Sequence, residues 1–165
     1  MPFELPQNLH PDCGPVAWLL GRWGGRGHGD YPTIDPFQYG QELVFTHDGR
    51  AFFHYFSRSW VVDESGEKVR EGAQEAGFLR CHPGGKVELL LTHNTGIVEI
   101  WYGDAGDGKL DLTSDAVVRT ETAKEYTAGT RLYGLIGEDL GYAYDMAAEG
   151  QPLQSHLSAQ LKRVA

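Results

Sequence analysis

Val87-Glu88-Leu89-Leu90-Leu91-Thr92-His93-Asn94-Thr95-Gly96-Ile97-Val98-Glu99-Ile100-Trp101-Tyr102 carries the clearest structural signal in the chain. Two short runs of aliphatic, β-branched and aromatic residues flank the turn-forming His93-Asn94-Thr95-Gly96, which is the pattern of a hairpin. The same alternation of period two, cut by turn residues, recurs on both sides of it. Upstream, Arg22 to Gly29 is Gly-rich and extended, Glu42 to Thr46 stops at His47-Asp48-Gly49, and Phe52 to Val62 ends at Asp63-Glu64-Ser65-Gly66. Ala73 to Cys81 follows, ending before Pro83-Gly84-Gly85. Downstream lie Leu110 to Arg119, Tyr126 to Leu135 and Leu140 to Ala147, separated by Gly/Asp/Glu turns.

These segments make about nine strands, ten with the C terminus, joined by short turns that place sequence neighbours side by side. Meandering antiparallel strands remove their exposed edges most economically by closing on themselves. The expected fold is therefore all-β, an up-and-down antiparallel barrel of about ten strands, wide enough to hold a ligand. A two-sheet sandwich is the alternative. The Pro-rich first residues predict an irregular arm, and Pro15-Val16-Ala17-Trp18-Leu19-Leu20 a short helical turn stopped by Gly21.

Length and charge narrow the function. A chain of 165 residues is the size of one domain, here taken as 1–165. Lys and Arg number 14 against 23 Asp and Glu, for a formal charge of −9. Nucleic-acid binders advertise a basic face and anionic membranes need clustered Lys/Arg, so neither partner is expected. No apolar run approaches the roughly 20 residues of a spanning helix, and Met1-Pro2-Phe3-Glu4 lacks the pattern of a secretory signal. Cys13 and Cys81, the only cysteines, read as reduced thiols of a cytoplasmic protein.

Two stretches are unusual. In Gly21-Arg22-Trp23-Gly24-Gly25-Arg26-Gly27-His28-Gly29, the glycines at alternate positions leave bare backbone on one strand face, which predicts strong curvature or close approach by another group. A phosphate cradle is excluded, because Pro32 and Pro36 follow where its helix would begin. Trp23 is read as core closing the barrel floor. The second stretch is Gly150-Gln151-Pro152-Leu153-Gln154-Ser155-His156-Leu157-Ser158-Ala159-Gln160-Leu161, whose leucines fit a strand or a helix equally. In either case His156 is expected opposite Leu157, near the turn at a strand mouth. The remaining histidines show no metal-binding spacing, and His47, His82 and His93 fall in turns and read as solvated. No serine or cysteine sits in a nucleophile context.

Gly21-x-Trp23-x-Gly25-x-Gly27, the following Tyr31-Pro32-Thr33-Ile34, Thr122-Ala123-Lys124-Glu125, and Gln151-Pro152-Leu153-Gln154-x-His156-Leu157 together resemble the nitrobindin family of haem proteins. The resemblance runs from about residue 9 to 163 and implies a calycin-like, fatty-acid-binding-protein-like barrel holding one haem b. It places the family's axial iron ligand on His156 and its Gly/Trp motif on Gly21, Trp23, Gly25 and Gly27. Lys124, and Thr33 beside Ile34, become candidates at the haem propionates, and Met146 a candidate wall of the pocket. Similar proteins bind nitric oxide and convert peroxynitrite to nitrate on ferric haem with an open distal side. The implied partners are these small molecules, with a homodimer left open. Two other readings remain: a carrier of a fatty acid or another apolar molecule, with Arg131 and Tyr133 taking a carboxylate, and a nitric oxide sensor or store.

Overall fold

The computed structural model describes residues 3–165; Met1 and Pro2 of the N-terminal arm lie outside the described residues. The chain closes into a barrel of ten antiparallel strands: β1 (Gly21–Tyr31), β2 (Ile34–Thr46), β3 (Phe52–Val62), β4 (Lys68–Cys81), β5 (Lys86–His93), β6 (Ile97–Gly106), β7 (Lys109–Arg119), β8 (Tyr126–Ile136), β9 (Asp139–Ala148) and β10 (Gln154–Arg163). Each strand pairs with its sequence neighbour, and β10 returns to β1 along a seam from Trp23↔Arg163 to Gly29↔Leu157. The sandwich alternative is thereby excluded, and the ambiguous C-terminal leucines belong to a strand. β2 begins well before its apolar run, because Pro36 and the polar residues around it sit in a segment paired to β1.

A 3-10 helix, Pro11–Leu19, precedes the barrel. It starts earlier than the expected turn at Pro15, which lies inside it; His10 caps it by accepting a hydrogen bond from the Asp12 amide at 3.1 Å. The helix buries Cys13, Val16, Ala17 and Leu19 against the barrel floor. Trp23 is fully buried there and donates from its indole nitrogen to the Leu19 carbonyl at 2.9 Å. The Arg163 guanidinium lies 4.1 Å from the Trp23 ring and donates to the Trp18 carbonyl. First and last strands are thus stapled to the helix at one point.

The alternate glycines of β1 have a local cause. Tyr39 and Phe37, the partners of Gly27 and Gly29 on β2, lay their rings across those two glycines, where any Cβ would collide with them. The group that approaches the bare backbone is thus a neighbouring strand's aromatic ring. Gly21 adopts φ +116° against the C-terminal Ala165, a conformation few side chains tolerate.

The interior is layered. Above the apolar floor runs a polar belt of side chains, with Gln41, Ser57, Glu99 and Arg131 all buried. Arg131 holds Glu75 in a bidentate grip, Nη1 and Nη2 donating to its two carboxylate oxygens at 2.9 and 2.7 Å. Tyr55 donates to the same carboxylate at 2.6 Å. Burial opposes ionisation of Glu75, but the adjacent Arg131, with His93 and the Tyr55 hydroxyl, overrides it and lowers the carboxyl to about 2. A second, smaller apolar cluster of Tyr31, Tyr126 and Ala148, flanked by Tyr144 and Met146, closes the layer nearest the mouth.

Replacing Glu75 by Gln leaves a buried guanidinium without its counter-ion, and this is expected to cost on the order of 3–5 kcal/mol in denaturant unfolding. The native carboxyl titrates below its ordinary value of 4.5, so its contribution is complete above that pH and is lost as pH falls toward about 2. The acid-induced loss of stability across this window should be shallower in Glu75→Gln than in the native chain.

Candidate functional site

The mouth of the barrel is shaped by breaks in the strand register. Along β10, Leu161, Ala159 and Leu157 face inward, so strict alternation would turn residue 156 outward. The pairing of β10 with β9 slips between Ser155 and Leu157, which face Asp145 and Tyr144 in turn. His156 is therefore the extra residue of a β-bulge, the device by which a strand re-aims a side chain. The bulge brings His156 and Leu157 together to the wall of one cavity, instead of on opposite faces as simple alternation predicts. The pairing of β1 with β2 also shifts between Gly29 and Tyr31, where β2 carries one residue more than β1 opposite Asp30, and β8 slips between Tyr126 and Ala128.

The bulge on β10 meets β1 at the break in the β1–β2 register. His156 Nδ1 lies 3.1 Å from the Asp30 carbonyl oxygen, to which it can only donate. That contact puts the proton on Nδ1 and leaves the Nε2 lone pair available. Tyr31 and Tyr144 stand edge-on to the imidazole, with ring centroids 5.5 and 5.7 Å away. Tyr31 is itself held by its hydroxyl, which accepts from the Ala148 amide at 2.9 Å and donates to the Met146 carbonyl at 3.0 Å. Burial lowers the His156 pKa below its ordinary value, against the opposing pull of the Asp30 carbonyl. The ring is thus a neutral, oriented, single-lone-pair donor.

The cavity has a volume of about 860 Å³, at the upper end for a small-molecule or cofactor site. Thr33, Ile34, Lys124 and Met146 all line it with His156. Thr33 sits in the turn between β1 and β2 and donates its hydroxyl to Glu149 at 2.5 Å. Ile34 and Lys124 are exposed at the rim, and Met146 belongs to the apolar cluster beneath them. Arg70, a second exposed cation on the rim, has no acidic partner within ion-pair distance among the described residues, and neither has Lys124. Gly21, Trp23, Gly25 and Gly27 do not reach the cavity. They build the floor and the seam, so the motif supports the site from below.

Three features escaped sequence reasoning. His93 is not solvated: it is largely buried, with Nε2 2.5 Å from Glu99 and Nδ1 3.4 Å from Glu75. Glu99 shares the inward parity of Trp101, and a charged residue at such a position was the available signal. Arg131 and Tyr133 do share a face, at 3.2 Å, but Glu75 already occupies the guanidinium. An incoming carboxylate would have to displace a built-in one.

A sequence profile of the THAP4-like, heme-binding beta-barrel domain matches residues 12–163. A curated "Peroxynitrite isomerase" of a Nocardioides species is 80% identical over 163 residues, covering 99% of each chain. A "Ferric nitrobindin-like protein" of Streptomyces griseus is 42% identical over 163 residues, 98% of this chain and 86% of that one. The crystal structure of Rv2717c from M. tuberculosis superposes with a TM-score of 0.86 at 41% identity, covering 95% of this chain and 99% of that chain. With the profile spanning nearly all of the barrel and the relatives aligned end to end, the chain belongs to the nitrobindin family of THAP4-like, heme-binding β-barrel domains.

Proposed function

We propose that the chain binds one haem b through His156 and isomerises peroxynitrite to nitrate in the mouth cavity. The observation that carries this reading is the His156 imidazole, pinned through Nδ1 to the Asp30 carbonyl with Nε2 left free on a cavity wall. The other residues suit a flat, largely apolar macrocycle with acidic side arms. Met146, Ile34 and Leu157 give apolar contact, and the ring edges of Tyr31 and Tyr144 hold the ligand imidazole in one orientation. Lys124 and Arg70 lie at the rim to receive the propionates, and the Thr33 hydroxyl would join them by exchanging its Glu149 partner for a propionate.

Ferric haem held there by His156 would supply the iron chemistry for peroxynitrite or nitric oxide. The chain's own part is to present one neutral nitrogen donor, while the cavity's other histidine, His93, stays engaged by Glu75 and Glu99. The names of the 80% identical relative and of other curated relatives support this chemistry. The carrier reading is weaker, because Arg131, the cation a fatty acid would need, is neutralised by Glu75. A nitric oxide sensor would use the same iron and differ only in turnover.

The test is reconstitution with hemin followed by stopped-flow mixing with peroxynitrite. Peroxynitrite should disappear faster than it does alone, with nitrate formed at the expense of nitrite. Decay at the spontaneous rate with an unchanged nitrite yield rejects the proposal. In His156→Ala the Soret band of the bound ferric protein and the rate acceleration should be lost together, while the far-ultraviolet circular dichroism of the barrel stays the same. Protons compete with iron for the imidazole, and burial depresses the His156 pKa from 6.5. Haem release on acidification should therefore begin at a lower pH than for a free imidazole complex, as read from the Soret band across a pH titration.

A further inference from the structure

Seven tyrosines line the mouth cavity, and their hydroxyls have different partners. Tyr126 alone pairs with a buried carboxylate that no arginine holds. Its Oη donates to Glu99 Oε2 at 2.7 Å, and the other Glu99 oxygen faces His93 Nε2 at 2.5 Å. Tyr126 also packs in the same small cluster as Tyr31, Tyr144 and Met146, the residues around His156. A phenol loses an electron readily only when its proton has somewhere to go. Tyr126 has the Glu99 carboxylate to take that proton, and His93 holds that carboxylate in place from its other oxygen.

The other cavity tyrosines lack this arrangement. Tyr31 donates to a backbone carbonyl, which cannot accept a proton. Tyr39 bonds to Tyr142 and the Ser158 carbonyl, and Tyr142 donates to Gln41. Tyr55 does face a carboxylate, but that is Glu75, clamped by Arg131 and held at about 2, a poor base. The Arg131 guanidinium lies 4.7 Å from the Tyr144 ring and also contacts the Tyr133 hydroxyl, a cation that opposes the loss of an electron from either.

We propose that Tyr126, with Glu99 as its proton acceptor, is an oxidation and nitration site that captures nitrogen dioxide escaping into the cavity. The proposal rests on the peroxynitrite reading for its source of nitrogen dioxide. In the first step one nitrogen dioxide takes an electron from the Tyr126 phenol and leaves as nitrite, while the phenolic proton passes to Glu99. In the second, another nitrogen dioxide forms a C–N bond at the carbon next to the phenolic one, and the hydrogen on that carbon moves as a proton to the phenolic oxygen as aromaticity returns. One tyrosine and two nitrogen dioxide molecules give 3-nitrotyrosine, nitrite and one proton. With peroxynitrous acid as the net reagent, the O–O bond breaks and the products are 3-nitrotyrosine and water.

The experiment maps 3-nitrotyrosine by peptide mass spectrometry in two arms, with the half-exposed Tyr102 of the outer barrel face as internal reference. One arm treats the haem-loaded protein with peroxynitrite. The other exposes the haem-free protein to nitrogen dioxide made by pulse radiolysis of nitrite. Nitration at Tyr126 should exceed that at Tyr102 several-fold in both arms. It should fall several-fold in Glu99→Gln, which keeps the shape but removes the base, and also in Glu99→Asp, which draws the carboxylate back from the phenol, should the first variant fold poorly. Nitration at Tyr102 outweighing that at Tyr126 in the native protein, or unchanged nitration of Tyr126 in both folded variants, overturns the proposal. The radiolysis arm needs no peroxynitrite turnover, so a failure of the isomerase reading leaves it decisive for Tyr126.

Discussion

One inserted residue in β10 governs the site. Without the slip between Ser155 and Leu157, alternation along the strand would turn residue 156 to solvent, and the cavity would lack its nitrogen donor. Asp30 lies at the break in the β1–β2 register, outside its paired positions, and its carbonyl meets the ring, so one irregularity aims the imidazole and its neighbour sets the tautomer. Each bulge frees backbone groups from the ladder. In this barrel one of those groups becomes the orienting acceptor. Orientation of a ligating histidine by a carbonyl on its other nitrogen is the usual means of fixing both ring angle and basicity.

The polar belt places a second demand on the fold. Buried charges weaken a barrel unless each is met, and the belt meets them with a bidentate Arg131–Glu75 pair and a histidine set between two carboxylates. Apolar residues of similar volume would fill the same space at less cost in desolvation. The belt instead leaves a chamber with directional donors and acceptors beneath the mouth, and it commits the one deep arginine. That commitment separates this interior from one built to bind a free carboxylate.

Much of the fold was legible in the sequence because hairpins are local. Ile97 to Tyr102 against Val87 to Thr92 needs only a turn and an alternating pattern to be recognised. The first half of β2 was not legible, since Pro36 and its polar neighbours look like a loop and become a strand only by pairing with β1. The bulge at His156 was also invisible, because a change of parity leaves no mark in composition. His93 was misread for a related reason: its sequence neighbours are turn residues, while its partners Glu75 and Glu99 come from adjacent strands of the barrel. The resemblance to the family, not any local pattern, grouped His156 with Thr33, Ile34, Lys124 and Met146, and all five line one cavity. Trp23 of the Gly/Trp motif is buried in the floor, but the rings that cover Gly27 and Gly29 depend on a register no single strand reveals.

The seam between the first and last strands bears on how the molecule is made. Nine of the ten strand pairings join segments adjacent along the chain, while the tenth waits for the C-terminal end. The His156 ring sits on that final strand, and the carbonyl that orients it sits on the opening one, 126 positions away. A nascent polypeptide still threading out of the ribosome thus has nearly all of its meander and no aimed imidazole. The aiming arrives in a single event, when the cylinder shuts.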